Sequence, residues 1–258
     1  MVKDFIKGAW RFLQPLKVYG IKYPVKIWGA YADFLKDFKY YKQKGGILSF
    51  RYIYPSLYFK QQDIQSGGGH YFYQDIWALK KLALLKPSIH YDIGSRFDGF
   101  AGQATAICNI TSIDIRPPTF NLPGLQFLQG DILKLPFKDN TVQTLSCLHT
   151  IEHIGLGRYG DPINPEGFNE ALMELQRILV PGGSLILSMP VGKERVEFNA
   201  QRILDPLSCI KKLDRMELVE FSIVNDYDQF IENTDPVSYS SARYSCGLYL
   251  FSKKKTNQ

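Results

Sequence analysis

The sequence predicts an α/β fold: a seven-stranded, mostly parallel sheet with an antiparallel terminal strand, preceded by an N-terminal helical extension. Three observations carry this. From residue 73 onward, apolar runs of strand length alternate with segments of helical period, which implies parallel strands joined by crossover helices. Residues 88–93 read as a buried strand that ends at Gly94. Two last strand patterns then follow one another without a helix between them, the mark of an antiparallel hairpin at one sheet edge.

The chain has 258 residues and a formal charge of +6, which is enough length for one substantial core and an appendage. Pro15, Pro24 and Pro55 divide the first 60 residues into short pieces, so helices and loops are expected there. Residues 1–44 hold ten Lys or Arg against three Asp, which leaves the rest of the chain nearly neutral. Trp10, Phe12, Trp28, Tyr31, Phe34, Tyr40 and Tyr41 are interleaved with those cations. Such a mixture suits peripheral contact of residues 1–60 with an anionic membrane. It also suits, and somewhat better, a helical extension that packs its aromatics on the main domain and leaves its lysines in water. No RNA-binding signature accompanies the aromatics, so a nucleic-acid partner is not expected. Ser66-Gly67-Gly68-Gly69 is read as a flexible joint that separates an extension, 1–66, from a domain, 67–258.

Within that domain Ile76, Trp77, Leu79, Leu82 and Ala83 keep helical spacing up to Pro87. Strands are predicted at 88–93, 110–115, 125–128, 141–147 and 183–189, and helices at 99–107, 166–180 and 203–213. The closing strands are 217–224 and 244–252. Cys108, Cys147, Cys209 and Cys246 have no zinc-clamp or redox spacing, so reduced thiols and no metal are expected. No segment is apolar for long enough to be a secretory signal or a membrane span, and a cytoplasmic location is expected.

Gly94 closes the first strand, where a sharp turn lets backbone approach a ligand and the next helix offers free N–H groups to an anion. About 20 residues further on, Asp114 ends the second strand, where a carboxylate can take both ribose hydroxyls of an adenosine. Gly130-Asp131-Ile132 follows the third strand, placing an acid and an apolar cover for adenine, although Asp131 also suits an ordinary turn. After the fourth strand come His149, Glu152 and His153. A histidine that titrates near neutrality can take a proton from an alcohol, and His149 is the first choice for that task. It also suits a structural histidine bonded into the following loop. The order His-Thr-Ile-Glu-His resembles an inverted zinc-peptidase motif, but the strand before it and Gly155 and Gly157 after it leave too little helix.

On these residues the chain resembles the class I S-adenosylmethionine-dependent methyltransferases, over about residues 67–258. The stretches that carry the likeness are Gly69-His70-Tyr71-Phe72-Tyr73-Gln74-Asp75, Asp92-Ile93-Gly94-Ser95-Arg96 with Asp98-Gly99, Ser146-Cys147-Leu148-His149 with Glu152-His153, Gly157-Arg158-Tyr159-Gly160-Asp161-Pro162, Pro181-Gly182-Gly183 and Arg195-Val196-Glu197-Phe198-Asn199. More closely, it resembles an uncharacterised branch whose members often accompany glycan-assembly genes.

The resemblance implies a Rossmann-like sheet and S-adenosyl-L-methionine as cofactor. It implies Asp92, Gly94 and Ser95 at the methionine end, Asp114 with Ile115 at the ribose, Asp131 and Ile132 at the adenine, and His70 and Tyr71 closing over the cofactor. Pro181-Gly182-Gly183 matches the turn before the fifth strand. Arg96 and Asp98 depart from the small residues usual in that turn, and Arg96 is expected either to pair with the cofactor carboxylate or to keep backbone and cofactor apart. Arg158, Tyr159, Asp161, Arg195, Glu197 and Asn199 are placed on loops at the substrate edge, where they suit sugar hydroxyls or salt bridges between loops. The implied reaction is methyl transfer to a hydroxyl of a glycan, a nucleotide-sugar or a similar small molecule. The rivals are a non-catalytic binding protein on the same fold and, disfavoured by the missing three-glycine fingerprint, a nicotinamide-dependent oxidoreductase.

Overall fold

The computed structural model describes Trp10, Phe12, Leu13, Leu16 and residues 24–47, 55–57 and 68–255. The chain divides into two compact units, Met1–Gly67 and Gly68–Gln258.

In the first unit, helix α1 (Pro24–Gln43) begins on a proline, whose missing N–H costs nothing in a first helical turn. Gly45 ends it in the left-handed region (φ 86°). Its N–H donates to Lys42 O at 3.1 Å, and Gly46 N–H donates to Tyr41 O at 3.0 Å, so two otherwise orphaned carbonyls are satisfied. Ile27, Tyr31 and Leu57 form a small buried cluster with Phe12, Leu16 and Phe34 against it, and the Tyr31 hydroxyl donates to Phe12 O. Trp28, Leu35, Tyr40 and Tyr41 stay exposed.

Of the predicted joint, Ser66 and Gly67 lie outside the described residues, whereas Gly68 and Gly69 open helix α2 (Gly69–Leu85). Pro87 stops that helix one residue after Lys86, which takes a left-handed cap conformation and donates its N–H to Leu82 O.

The second unit is built on one sheet of eight strands. In chain order they are β1 (Ile89–Ile93), β2 (Asn109–Asp114), β3 (Leu125–Gln129), β4 (Val142–Leu148), β5 (Leu179–Val191), β8 (Met216–Val224), β9 (Phe230–Ile231) and β10 (Ser245–Lys253). A separate hairpin pairs β6 (Arg195–Glu197) with β7 (Gln201–Ile203). The order across the large sheet is β3-β2-β1-β4-β5-β10-β8-β9. Strands β3 to β5 are parallel, and β10 runs antiparallel between β5 and β8. This is the mostly parallel Rossmann-like sheet that the sequence predicts, with two differences. The short strand β9 adds an eighth member beside β8, and β10 inserts inside β8 rather than following it at the edge.

Side chains alternate between the two faces. Leu185 and Leu187 of β5 join one core cluster with Phe168, Leu172 and Leu175 of helix α3 (Gly167–Ile178). Ile186, between them, joins the other with Trp77 and Leu82 of α2. Full burial of such side chains contributes about 2–3 kcal/mol each. Pro181-Gly182-Gly183 lies within β5 as a bulge, not ahead of it. The pairing slips between Val142↔Leu179 and Thr144↔Ser184, and a Cβ on Gly183 would stand 2.8 Å from Val180 O.

Helix boundaries also move. The predicted helix 99–107 is a tight turn, Phe97–Ala101, continued by Gly102–Ala104, because Gly99 has non-helical dihedrals. The one predicted from 203 is α4 (Pro206–Lys212). It starts after β7, where Asp205 accepts the Leu207 N–H at 2.8 Å as its N-cap.

Candidate functional site

At the carboxyl ends of β1, β2 and β4 the sheet opens into a cavity of about 620 Å³, the edge where open α/β sheets receive ligands. Gly94 forms its turn. At φ 68° its Cβ would lie 2.5 Å from Thr150 Cγ2, so only glycine fits.

Gly94, Ser95, Arg96, Asp114, Ile115, Asp131 and Ile132 all line this cavity, in the order of the strand ends that carry them. Asp92 does not. It is wholly buried beneath the turn, its Oδ1 accepting from Ser95 Oγ at 2.6 Å and Ser146 Oγ at 2.5 Å while Oδ2 has no partner. Burial pushes its pKa up to about 6. Asp92 therefore lies under the cradle, while Gly94 and Ser95, predicted with it, line the cavity. Behind it the buried His90, which burial lowers to about 3, bonds Ser146 through Nε2 at 2.9 Å and Thr144 through Nδ1 at 3.1 Å.

Two carboxylates on the cavity wall are already engaged. Asp114 binds Arg116 in a fork, Nε to Oδ1 and Nη2 to Oδ2, each at 3.0 Å. The Arg116 guanidinium lies 4.6 Å over the Tyr159 ring. Asp131 Oδ1 accepts the Leu133 N–H at 2.9 Å, which fixes its own turn. Arg96 and Asp98, the two departures from the family pattern, answer each other through bonds of 2.9 and 2.6 Å, with Arg96 5.2 Å over the Tyr71 ring. The Arg96 charge is thus partnered before any cofactor arrives.

Beyond β4, His149 has left-handed backbone (φ 47°), which sets up the short 3₁₀ turn Ile151–His153. His149 Nδ1 bonds Glu152 Oε1 at 2.8 Å, and its Nε2 is buried without a hydrogen-bond partner. Burial depresses this imidazole, but the neighbouring Cys246 and Glu152 outweigh burial and hold its pKa well above the ordinary value. His149, the first choice from sequence, lines the cavity, with Nδ1 held by Glu152 and Nε2 buried. Glu152 is buried behind the cavity wall.

His153 lines the cavity as well. Its Nδ1 lies 2.7 Å from Ala200 O and 3.4 Å from Arg158 Nη1; with the shorter contact made by Nδ1–H to the carbonyl, Nε2 is the unprotonated nitrogen, 3.5 Å from Glu152 Oε1. Burial lowers its pKa, which keeps it neutral at pH 7.

The remaining predicted residues divide. Tyr159 and Asp161 line the cavity, but the Asp161 carboxylate accepts from Gly155, Gly157 and Tyr159 N–H groups and so shapes the loop. Arg158 bonds Ala200 O at 2.7 Å and stands behind His153. Arg195, Glu197 and Asn199 do not reach the cavity. The first two sit in the β6–β7 hairpin, paired at 2.9 Å, where sequence predicted a substrate loop. Tyr71 borders the cavity, whereas His70 lines a second one of about 680 Å³ with Asp226, Asp228 and Tyr244.

Sequence reasoning missed Asp75 and Arg116. Asp75, on the cavity-facing side of α2, accepts from Gln74 Nε2 at 3.0 Å and has its pKa raised, chiefly by burial. The signal for Asp75 was its place in the quoted 69–75 stretch. Arg116 had none beyond lying two residues after Asp114.

The same architecture occurs in solved structures. A candidate methyltransferase from Bacillus halodurans superposes with a TM-score of 0.52 at 14% identity, covering 70% of this chain and 99% of that one. The N-methyltransferase NodS from Bradyrhizobium japonicum, in complex with S-adenosyl-L-homocysteine, gives 0.51 at 14% identity, covering 74% and 91%. The [4+2]-cyclase SpnF gives 0.50 at 14% identity, covering 76% and 86%. These likenesses define the class of fold, that of the Rossmann-like methyltransferases, and SpnF shows the fold in a protein described by another reaction. Residues 138–252 match the family DUF268, described as a Caenorhabditis protein of unknown function. No curated protein sequence matches the chain.

Proposed function

We propose that the protein transfers a methyl group from S-adenosyl-L-methionine to an oxygen acceptor, a hydroxyl of a glycan or nucleotide-sugar. The carrying observation is the single cavity edge on which Gly94, Asp114, Asp131 and Ile132 stand on successive strand ends. The cofactor fits it chemically. The Gly94 turn is a cradle that a Cβ would fill, Asp114 offers a carboxylate to ribose hydroxyls, Ile132 an apolar cover for the base, and Asp75 an acid for an amino group. When bound, the cofactor supplies a sulfonium-activated methyl group.

The chain's own work is then positioning and proton removal. His153 Nε2 is the base we assign to the acceptor hydroxyl. A proton taken there is stabilised by Glu152, and the Ala200 carbonyl holds the ring in the required tautomer. Tyr159, exposed on the cavity rim and stacked on Arg116, offers a flat face to a sugar.

Calorimetry with S-adenosylmethionine, S-adenosylhomocysteine and NAD, followed by methylation assays on glycan acceptors, tests the proposal. Binding of the first two but not NAD is expected, with His153→Gln slowing turnover at least tenfold at unchanged cofactor affinity. Absence of sulfur-cofactor binding rejects the reading. The self-paired Arg96–Asp98 and Asp114–Arg116 forks favour one alternative, a non-catalytic binding protein, which binding without turnover would support.

We place the protein in the cytoplasm, with residues 1–60 at an anionic membrane surface. Supporting this, α1 exposes Trp28, Leu35, Tyr40 and Tyr41 on a strongly basic segment, and no helix among the described residues is long and apolar enough to cross a membrane.

A further inference from the structure

Beside the cavity three side chains from distant parts of the chain converge: His70 in the first turn of α2, His149 just after β4, which lines the cavity, and Cys246 in β10. One donor atom from each, a ring nitrogen from either histidine and the Cys246 sulfur, lie within 4.8 Å of one another. The two imidazoles are stacked, with centroids 5.7 Å apart and planes 9° from parallel.

Glu152 Oε1 holds His149 Nδ1 at 2.8 Å, so the nitrogen left over is Nε2, which is buried and has no hydrogen-bond partner. Glu152 Oε2 is likewise buried and unpartnered. Unsatisfied buried polar atoms are costly and call for an explanation. Left-handed backbone at His149 adds a second local cost at the same residue.

We propose that His70, His149 and Cys246 form a binding site for a borderline-soft divalent cation of the zinc class, with a coordination position left for water or an exogenous oxygen ligand.

The donor set supports the choice of ion. Two imidazoles and one thiolate are the ligands that tetrahedral zinc takes, and three protein ligands with an open position is the pattern of its reactive sites. Bond lengths near 2.0–2.3 Å place tetrahedral donors about 3.4–3.8 Å apart, so closing the group needs movements of about 1 Å. His70, half-buried at a helix start, is free to supply most of that. Glu152 is where a carboxylate is wanted: bonded to the far nitrogen of a ligating histidine, it fixes the ring and raises its basicity.

Charge balance agrees. A thiolate and the Glu152 carboxylate together cancel a dication. Asp226 accepts from the backbone N–H groups of Arg243 and Tyr244 and from Ser245 Oγ, which anchors the start of β10 and with it Cys246.

The proposal does not rest on the methyl-transfer reading. None of its ligands is the assigned base, and the test needs neither cofactor nor acceptor. Full-length, tag-free protein, reduced and stripped with chelator, is titrated with Co²⁺ and followed by absorption. Expected are one equivalent bound, visible bands of tetrahedral cobalt, a near-ultraviolet thiolate-to-cobalt charge-transfer band, and displacement by Zn²⁺.

Cys246→Ser should remove the charge-transfer band, and His70→Gln should weaken Co²⁺ binding at least tenfold. A folded wild type giving no tetrahedral spectrum, or a charge-transfer band that persists in Cys246→Ser, overturns the site. If the buried Cys246→Ser variant does not fold, His70→Gln decides alone, since unchanged affinity there also overturns it.

Discussion

Asp92 carries a pH dependence that can be measured. Its carboxyl is wholly buried, and burial holds its folded pKa at about 6 against an ordinary value near 4, with two serine hydroxyls only partly opposing the shift. Between those values the native state binds the proton that the unfolded chain has lost, so stability attributable to Asp92 falls as pH rises from about 4 to about 6. The upper bound is about 3 kcal/mol. Asp92→Asn keeps the shape and removes the titration. Urea midpoints at pH 4.5 and 7.5 should show the variant gaining on the wild type as pH rises, and parallel profiles would sink the assignment. Residues of this kind divide by how they become visible. Gly94, Asp114 and Asp131 are legible because each follows a strand end, and strand ends can be read from apolar runs. Asp75, Arg116 and Cys246 acquire meaning only when elements distant in the chain meet, which no local pattern records.

At the scale of elements, α2 is fastened to β8 through one acid. Glu220 Oε1 accepts from Trp77 Nε1 at 3.0 Å, and Oε2 meets Lys81 Nζ at 2.6 Å, with the lysine side chain only 8% exposed. Burial alone would raise the Glu220 pKa, but its bonds to Lys81 and Trp77 prevail and lower it. Glu220→Ala would leave an indole N–H without its partner and a nearly buried ammonium with only Glu232, 3.6 Å away. A loss of about 3 kcal/mol is expected, read as a shifted denaturant midpoint, and Lys81→Met with Glu220→Gln together should recover much of it. A loss below about 0.5 kcal/mol would show that the pair does not fasten the helix. The strands that make up the sheet's centre were legible because β-branched, aromatic and other apolar residues recur along them, as Ile89, Tyr91 and Ile93 do in β1. The pieces that were not, β6, β7 and β9, have two or three residues each. So short a run has no period to detect, and its pairing is decided by tertiary contact. For that reason Arg195 and Glu197 belong to a hairpin and not to a substrate loop.

For the whole molecule, the distribution of core and charge makes a division of labour testable. Both large apolar clusters consist of residues from 73 onward, and the described residues that line the cavity run from Tyr71 to Pro162, so among the described residues the sheet's core and the cavity lining belong to the second unit. The first unit holds the basic excess and a helix whose exposed face carries Trp28, Leu35, Tyr40 and Tyr41. Removing residues 1–67 should leave the circular dichroism of an α/β protein and an affinity for S-adenosylhomocysteine within about twofold of the full chain. The same deletion should abolish flotation with vesicles rich in anionic lipid. The attraction scales at roughly 1 kcal/mol per surface Lys or Arg and is screened by salt, so flotation of the full chain should fall steeply between 50 and 300 mM NaCl, about a 2.4-fold drop in Debye length. Equal flotation of both proteins would reject the membrane role, and loss of cofactor affinity on deletion would show that the first unit supports the site.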